Sequence, residues 1–183
     1  LVADNTGRRA TCRLNPYTYA CETGTRIESG SWLAMWSDTA GQLWALQDGR
    51  GLLRLNPDTR SATTHIPLNM RFGASPVAQL PDGTVWAGTP RDGVMRLNPE
   101  HQTAYPLRHD ASDPASLGGY DVRALFVDRQ GIVWVGHERG VSYWTGAGRP
   151  FQLYRAPDGL SDERVNGMHE ARDGTVWIAT NGG

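Results

Sequence analysis

Five histidines are the side chains of this sequence that could most readily hold a metal ion or transfer a proton near neutral pH. They are spread along the chain, at His65, His101, His109, His137 and His169. No two of them have the spacing of a zinc motif such as His-Glu-x-x-His, and no Cys-x-x-Cys pair occurs. His137 and His169 are each followed by Glu, but the strand pattern places them on non-equivalent strands. We therefore predict no metal site.

Motifs for covalent and phosphate chemistry are also missing from the sequence. No Gly-x-Ser-x-Gly nucleophile elbow is present, and all 18 basic residues are Arg, which removes lysine chemistry. Gly118-Gly119 lies within a long connector rather than at the start of a helix, so it does not indicate a phosphate loop. The net charge of -1 provides no long-range attraction to nucleic acid. We predict a non-catalytic protein that uses no cofactor and binds no nucleic acid.

Residues suited to ligand recognition are concentrated in loops. The longest connector, LRHDASDPASLGGYD, runs over the fifteen residues 107–121, and loops of that length are often functional. Arg, Tyr, Asp and His together provide bidentate donors, an aromatic platform and acceptors, which suit sugars or carboxylates. The alternative for each residue is a solvated loop position. The candidate ligand-binding residues are Arg91, Arg108, His109, Asp113, Tyr120, Asp121, His137 and Arg139.

An internal repeat must position these loops. Gly-x-x-Trp occurs four times, with its Trp at positions 44, 86, 134 and 177, which are 42, 48 and 43 residues apart. The tetrapeptide RLNP recurs in phase with it, beginning at Arg13, Arg54 and Arg96. Repeats of this length are typical of β-propeller blades.

The alternation of apolar and polar residues within one period predicts four short antiparallel strands. In the period that begins at Val122, the strands are VRALFVD, IVWVGH, VSYWTG and FQLYR, and Gly-containing turns separate them. We predict an all-β chain of four-stranded antiparallel propeller blades. The predicted blades are 31–75, 76–120 and 121–164, with partial blades at 1–30 and 165–183. The chain would be a segment of a larger propeller, and closure into a four-bladed ring is the alternative.

The predicted fold assigns separate roles to the repeat residues and to the loops. Asp and Gly form the turns between the inner strands, and Trp on the second strand lies between adjacent blades. Loops between second and third strands share one rim with the connectors between blades. The candidate ligand-binding residues would therefore meet on that rim.

The motif DxxG-[IVT]-x-W-[IVA]-[GA]-T, followed by a Gly turn and RLNP, resembles the two-component regulator propeller repeats. The resemblance covers nearly the whole chain, is closest in residues 83–99 and 156–183, and is weaker at WALQDGRG in the first full blade. It implies a large propeller outside the inner membrane of a bacterium, followed in the parent protein by a membrane span and a cytoplasmic kinase or diguanylate cyclase.

The resemblance implies a periplasmic sensor region. Because a ligand shifts an equilibrium only by its difference in affinity, we expect this sensor to signal through relative movement of domains or protomers. Its expected partners are a small-molecule ligand, with carbohydrate as one candidate, and the other propeller blades or domains of the parent chain. A homodimeric parent receptor is a further expectation. Two alternatives stay open: a propeller enzyme, either a lyase like virginiamycin B lyase or a glycan hydrolase, and a protein-interaction scaffold.

The two cysteines, Cys12 and Cys21, are close enough in the sequence to face each other across a hairpin. A turn over residues 15–18 would pair Leu14 with Tyr19 and set Cys12 directly opposite Cys21. We predict a disulfide there, which would contribute roughly 2.5–3 kcal/mol on the chain-entropy model. Such a bond suits an oxidising compartment, and two unpaired thiols are the alternative.

Overall fold

The structure is a computed structural model, and the residues it describes are 2–3, 9–10, 13–14, 21–22, 31–38, 40–56, 58–59, 61–69, 76–146, 148 and 150–183. The chain forms two compact units, Leu1–Arg71 and Phe72–Gly183. Regular structure in the described residues is β-strand, apart from one short 3-10 helix at Ala156–Asp158. The same residues contain no helix that is both long and apolar enough to cross a membrane.

The first unit begins with two short antiparallel strand pairs. They are β1 (Val2–Ala3) with β2 (Arg9–Ala10), and β3 (Arg13–Leu14) with β4 (Cys21–Glu22). The register sets Leu14 opposite Cys21, so the predicted pairing of Leu14 with Tyr19 is wrong. Turn residues such as Asn and Pro mark where a loop begins but do not fix its length, and the length decides the register. Cys12 lies outside the described residues, and its disulfide with Cys21 stays a prediction.

The first blade is a four-stranded antiparallel sheet whose strands pair in chain order. They are β5 (Trp32–Ser37), β6 (Leu43–Gln47), β7 (Gly51–Asn56) and β8 (Ser61–Pro67). One buried cluster joins these strands, and its members are Trp32, Ala45, Leu53, Leu55 and Ala62. Leu53 and Leu55 show the period of two that places alternate side chains on one face of a strand.

The second unit contains two complete blades and a hairpin. The second blade consists of β9 (Val77–Gln79), β10 (Val85–Gly88), β11 (Val94–Asn98) and β12 (Thr103–Leu107). The third blade consists of β13 (Ala124–Val127), β14 (Val133–His137), β15 (Gly140–Trp144) and β16 (Gln152–Tyr154). The C-terminal hairpin consists of β17 (Val165–Glu170) and β18 (Val176–Thr180). All neighbouring strands are antiparallel and consecutive in the chain, which confirms the predicted all-β fold of four-stranded blades.

Aromatic side chains join the second and third blades. Trp86 is buried, and its ring centroid is 5.3 Å from that of Trp144 and 6.2 Å from that of Phe151 on the third blade. The prediction that the repeat Trp lies between blades is therefore confirmed for Trp86. The equivalent Trp177 differs, since 67% of it is exposed.

Two glycines allow neighbouring sheets of the second unit to approach closely. A Cβ on Gly88 would lie 2.6 Å from Cγ1 of Val122, and a Cβ on Gly136 would lie 2.6 Å from Cγ1 of Val165. Both glycines stand two residues after a repeat Trp, and both valines stand at or just before the first strand of the next sheet. The Gly of the Trp-x-Gly motif is thus required by packing between sheets.

The Asp-x-x-Gly turns hold the repeat Trp as well as their own backbone. Asp128 accepts two backbone N–H groups of its turn on Oδ1, both at 2.9 Å, and the indole N–H of Trp134 on Oδ2 at 2.9 Å. Asp38 and Trp44 repeat this bond in the first blade at 2.8 Å. The indole N–H is the main reason why the pKa of Asp38 is lowered. The sequence predicted that Asp and Gly form these turns, but not that the Asp binds the indole.

We expect Asp128→Ala to lower the free energy of unfolding by about 2–3 kcal/mol, because it leaves the indole and two backbone N–H groups without their acceptor. Asp128→Asn keeps one carbonyl oxygen and should cost about half as much. Asp173→Ala is the matched control, since this exposed carboxylate binds only its own turn, at the N–H of Thr175. Urea unfolding followed by tryptophan fluorescence measures the three variants. Equal losses at positions 128 and 173 would contradict the role of the indole bond.

Candidate functional site

One end of the second unit carries a rim of two loops and the long connector. The rim consists of loop 89–93 between β10 and β11, loop 137–140 between β14 and β15, and connector 108–121. The N–H of Gly93 donates to the carbonyl oxygen of Tyr120 at 3.0 Å, and the N–H of Val122 donates to that of Thr89 at 3.0 Å. The structure therefore places the connector along the loops that were predicted to share a rim with it.

Side chains outside the predicted set fasten the connector to the third blade. Glu138 accepts the backbone N–H of Asp121 on Oε2 at 2.9 Å and that of Tyr120 on Oε1 at 3.4 Å. Ser142 Oγ accepts the N–H of Gly118 at 2.9 Å. These acceptors satisfy backbone donors in a segment that has no strand partner. Nothing local in the sequence marks Glu138 and Ser142, because they stand 17 and 24 residues from the residues they bind.

His137 lies beneath the connector and is fully buried. Its Nδ1 accepts the backbone N–H of Arg139 at 3.1 Å, so the ring proton is on Nε2 and donates to Ser142 Oγ at 2.9 Å. The pKa of His137 is lowered to about 4, chiefly by burial, with Glu138 opposing the shift and Arg139 and His109 adding to it. The imidazole is therefore neutral at neutral pH.

The His137–Ser142 pair is not arranged for nucleophilic catalysis. A general base must present a lone pair to the serine, but the Nε2 that faces Ser142 carries the proton. No carboxylate can orient the ring through Nδ1, because that atom already accepts the Arg139 N–H. A ligand on the surface of the rim would not reach this buried ring. His137 thus supports the connector, which corrects its predicted place among the ligand contacts.

His109 and Arg139 meet on the exposed side of the rim. His109 Nδ1–H donates to the carbonyl oxygen of Leu117 at 2.8 Å, which leaves the lone pair on Nε2. Nε2 accepts an N–H from Nη1 of Arg139 at 2.8 Å. One histidine thus links the two ends of the connector to the tip of loop 137–140.

Three further candidate residues lie along the same rim. Arg108 Nε is 3.7 Å from Asp92 Oδ1, with both side chains exposed. Asp121 forms an ion pair with Arg123, with 2.8 Å between Oδ2 and Nη2. The side chain of Tyr120 is half exposed. The rim therefore combines charged groups and an aromatic ring on a backbone that is held in place.

The last two candidate residues are less closely tied to the rim. Asp113 Oδ1 accepts the N–H of Ala115 at 2.9 Å and so stabilises a turn within the connector. Arg91 stands in loop 89–93, is exposed, and makes no hydrogen bond or ion pair with another described residue.

No metal site is formed within the described part of the chain. No group of three or more His, Cys, Asp and Glu side chains there is arranged to hold an ion. His137 ends β14 and His169 lies on β17, so the two His-Glu pairs occupy non-equivalent strands, as the sequence indicated.

A cavity of about 360 Å³ lies at the opposite end of the third blade. Its lining residues are Tyr143, Thr145, Pro150 and Gln152. β15 begins on the rim at Gly140 and ends at Trp144, so this cavity is remote from the charged groups of the rim.

Two segments of the chain match the sequence model of the two component regulator propeller family, residues 116–139 and 159–182. The match confirms the predicted resemblance to two-component regulator propeller repeats at these positions. The first match runs from the end of the connector through β13 and β14 to Arg139. It therefore includes the residues through which the third blade holds Tyr120 and Asp121. No curated protein matches the chain.

Several solved structures share the fold at low sequence identity. The extracellular domain of the one component system BT4673 from B. thetaiotaomicron aligns with 98% of this chain and 28% of its own, at 16% identity and a TM-score of 0.67. PorZ, a surface component of the type-IX secretion system of Porphyromonas gingivalis, aligns with 88% of this chain and 27% of its own, at 18% identity and a TM-score of 0.58.

Virginiamycin B lyase from Staphylococcus aureus is also similar, over 83% of this chain and 50% of its own, at 13% identity and a TM-score of 0.62. At such identities the likeness establishes a propeller fold and no activity. The chain spans between 27% and 50% of the length of these three structures.

Proposed function

We propose that this chain is part of a ligand-sensing propeller in the extracytoplasmic, periplasmic region of a bacterial signal-transduction receptor. The regulator propeller repeats support this proposal, and so does the fold shared with the extracellular domain of BT4673. The chain would act by binding and not by catalysis. Its immediate partners would be a small molecule, with carbohydrate as the leading class, and further blades or domains of the parent receptor.

The observation that carries the proposal is the connector held across the third blade. Glu138, Ser142 and His109 fix its backbone, so little chain entropy is lost when a ligand binds. The exposed side chains of Arg108 and Tyr120 then provide donors and a flat apolar surface, which are the groups that bind a sugar.

Signalling would follow from a difference in affinity between two arrangements of the receptor. A ligand shifts such an equilibrium only if it binds one arrangement more tightly than the other. A ligand that touches the connector and a neighbouring domain together would meet this condition. The proposed mechanism is therefore closure of a second domain onto the rim.

The enzyme alternative has less support in the described residues. In the Ser142–His137 pair the proton is on Nε2, the nitrogen that faces the serine, so this nitrogen cannot act as a base. The fold shared with virginiamycin B lyase assigns no catalytic residue to this chain.

Binding to an oligosaccharide panel tests the proposed function. We expect at least one glycan to bind the chain, and Tyr120→Ala to weaken that binding about tenfold through loss of ring stacking. Tyr105→Ala is the matched control, because Tyr105 is 57% exposed against 50% for Tyr120 but stands on β12. Isothermal titration calorimetry measures the dissociation constants. Equal effects of the two variants, or no binding by any glycan, would contradict a sugar-binding rim.

A further inference from the structure

We propose that Arg139 forms an anion subsite of the rim, which binds the carboxylate of an acidic sugar whose ring packs on Tyr120. The inference rests on the proposed ligand-binding role of the rim and names the class of ligand. Four features of the structure lead to it: the fixed position of Arg139, its unpaired edge, the engagement of the nearby acids, and the exposed tyrosine.

Arg139 is held in position before any ligand arrives. The tautomer of His109 is set by its bond to the carbonyl oxygen of Leu117, and the remaining Nε2 lone pair accepts from Nη1 of Arg139. A long side chain that is already ordered loses less entropy on binding. This contact orients the guanidinium through a ring nitrogen and not through a carboxylate, so it does not form an ion pair.

The Nε–Nη2 edge of Arg139 has no partner among the described residues, and no ion pair to a described carboxylate is formed. Its two parallel N–H groups match the two oxygens of one carboxylate. A single positive charge also balances a single carboxylate better than a dianion. The free edge of Arg139 therefore favours a carboxylate ligand.

The acidic side chains near Arg139 bind other groups. Glu138 accepts the backbone N–H groups of Tyr120 and Asp121, and Asp121 itself pairs with Arg123. The carboxylate of Asp92 lies beside Arg108 on the neighbouring loop. Arg139 is thus a positioned cation with no ion pair to a described carboxylate, and a ligand carboxylate can supply one.

Tyr120 makes a sugar the best carrier of that carboxylate. Half of the tyrosine is exposed, and its backbone N–H is bound by Glu138, the residue that precedes Arg139. An aromatic ring packs against the C–H face of a sugar, while a guanidinium binds the acid group. An acidic sugar carries both the C–H face and the carboxylate that these two side chains recognise.

Calorimetry with trigalacturonate and with its methyl ester tests the proposal, because the two probes have the same sugar rings and esterification removes the negative charge of the acid groups. We expect the wild-type chain to bind the acid more tightly than the ester. Arg139→Gln should weaken binding of the acid roughly 10- to 100-fold and abolish the difference between acid and ester. Arg172→Gln is the matched control, an exposed Arg in the turn between β17 and β18. Thermal unfolding of both variants checks that the fold is retained.

The possible outcomes separate this subsite from the proposed function. Equal binding of the acid and the ester overturns the subsite, and so does an unchanged affinity in Arg139→Gln. In either case, Tyr120-dependent binding of other glycans would still support the sugar-binding rim. Binding of a Glu-Glu dipeptide as tightly as trigalacturonate, with the same dependence on Arg139, overturns the sugar assignment in favour of a peptide carboxylate. Failure of both galacturonate probes to bind also overturns the subsite, and the glycan panel decides the role of the rim separately.

Discussion

Gly136→Val is expected to lower the free energy of unfolding by about 2–3 kcal/mol and to loosen the C-terminal hairpin from the third blade. A Cβ at Gly136 would lie 2.6 Å from Cγ1 of Val165 and 3.1 Å from Cβ of Ala124, so the sheets must separate to admit it. Val165 is fully buried and belongs to the cluster that joins the two sheets. Their separation would expose apolar surface to water.

Gly167→Val is the matched control for this prediction. Gly167 also lies in a strand, β17 of the C-terminal hairpin, but no atom lies within 4 Å of its Cβ position. Urea unfolding should therefore show a large loss only at position 136, and the amides of β17 and β18 should exchange faster in that variant. The double variant Gly136→Val/Val165→Ala should lose less than the sum of its single changes, because the smaller side chain relieves the clash. If the double variant loses as much free energy of unfolding as the two single variants together, close packing is not the reason for the glycine at position 136.

The second large effect is a loss of stability in acid that depends on His137. Burial holds the pKa of this residue at about 4 in the folded chain, against 6.5 for an ordinary histidine. This difference corresponds to about 3 kcal/mol of free energy of unfolding. It is the largest expected effect of pH on the rim.

The sign follows from which state binds the proton. At pH 5 the histidine of the unfolded chain is protonated, whereas the buried ring of the folded chain is not. Lowering the pH therefore favours unfolding, with a slope of about 1.4 kcal/mol per pH unit. The contribution of His137 is fully present above pH 6.5 and is lost progressively as the pH falls toward 4.

Urea unfolding from pH 7 to pH 4 measures this effect. His137→Gln removes the titrating group and keeps a polar side chain beside Ser142, so its stability should fall less steeply with acid than that of the wild type. His101→Gln removes an exposed histidine and should retain the wild-type slope. A His137→Gln variant with the wild-type slope would show that another group is responsible.

The repeat residues could be predicted from the sequence because their contacts are local or recur in every period. The Gly-x-x-Trp motif predicted the turn and the second strand of each blade, and the structure has strands at those positions. The burial of Trp86 between blades followed from the same repetition. The Asp128–Trp134 bond could also have been found, since both residues recur at the same spacing as Asp38 and Trp44.

The contacts of the rim could not be predicted in the same way. Glu138 binds a backbone N–H 17 residues away, and Arg139 binds a histidine 30 residues away. Such pairs belong to one loop and one connector and have no counterpart in the repeat. The sequence indicated that these residues share a rim, but not which of them are bonded to each other.

By itself, the sequence determined the fold class and the repeat, because alternation and turn chemistry act over a few residues. Only the tertiary structure decided that His137 is a buried support while Arg139 is exposed, although they are two residues apart. Burial and hydrogen bonding depend on how the connector crosses the third blade, and that path is set by long-range contacts. The chemistry of the rim is therefore a property of the packed chain.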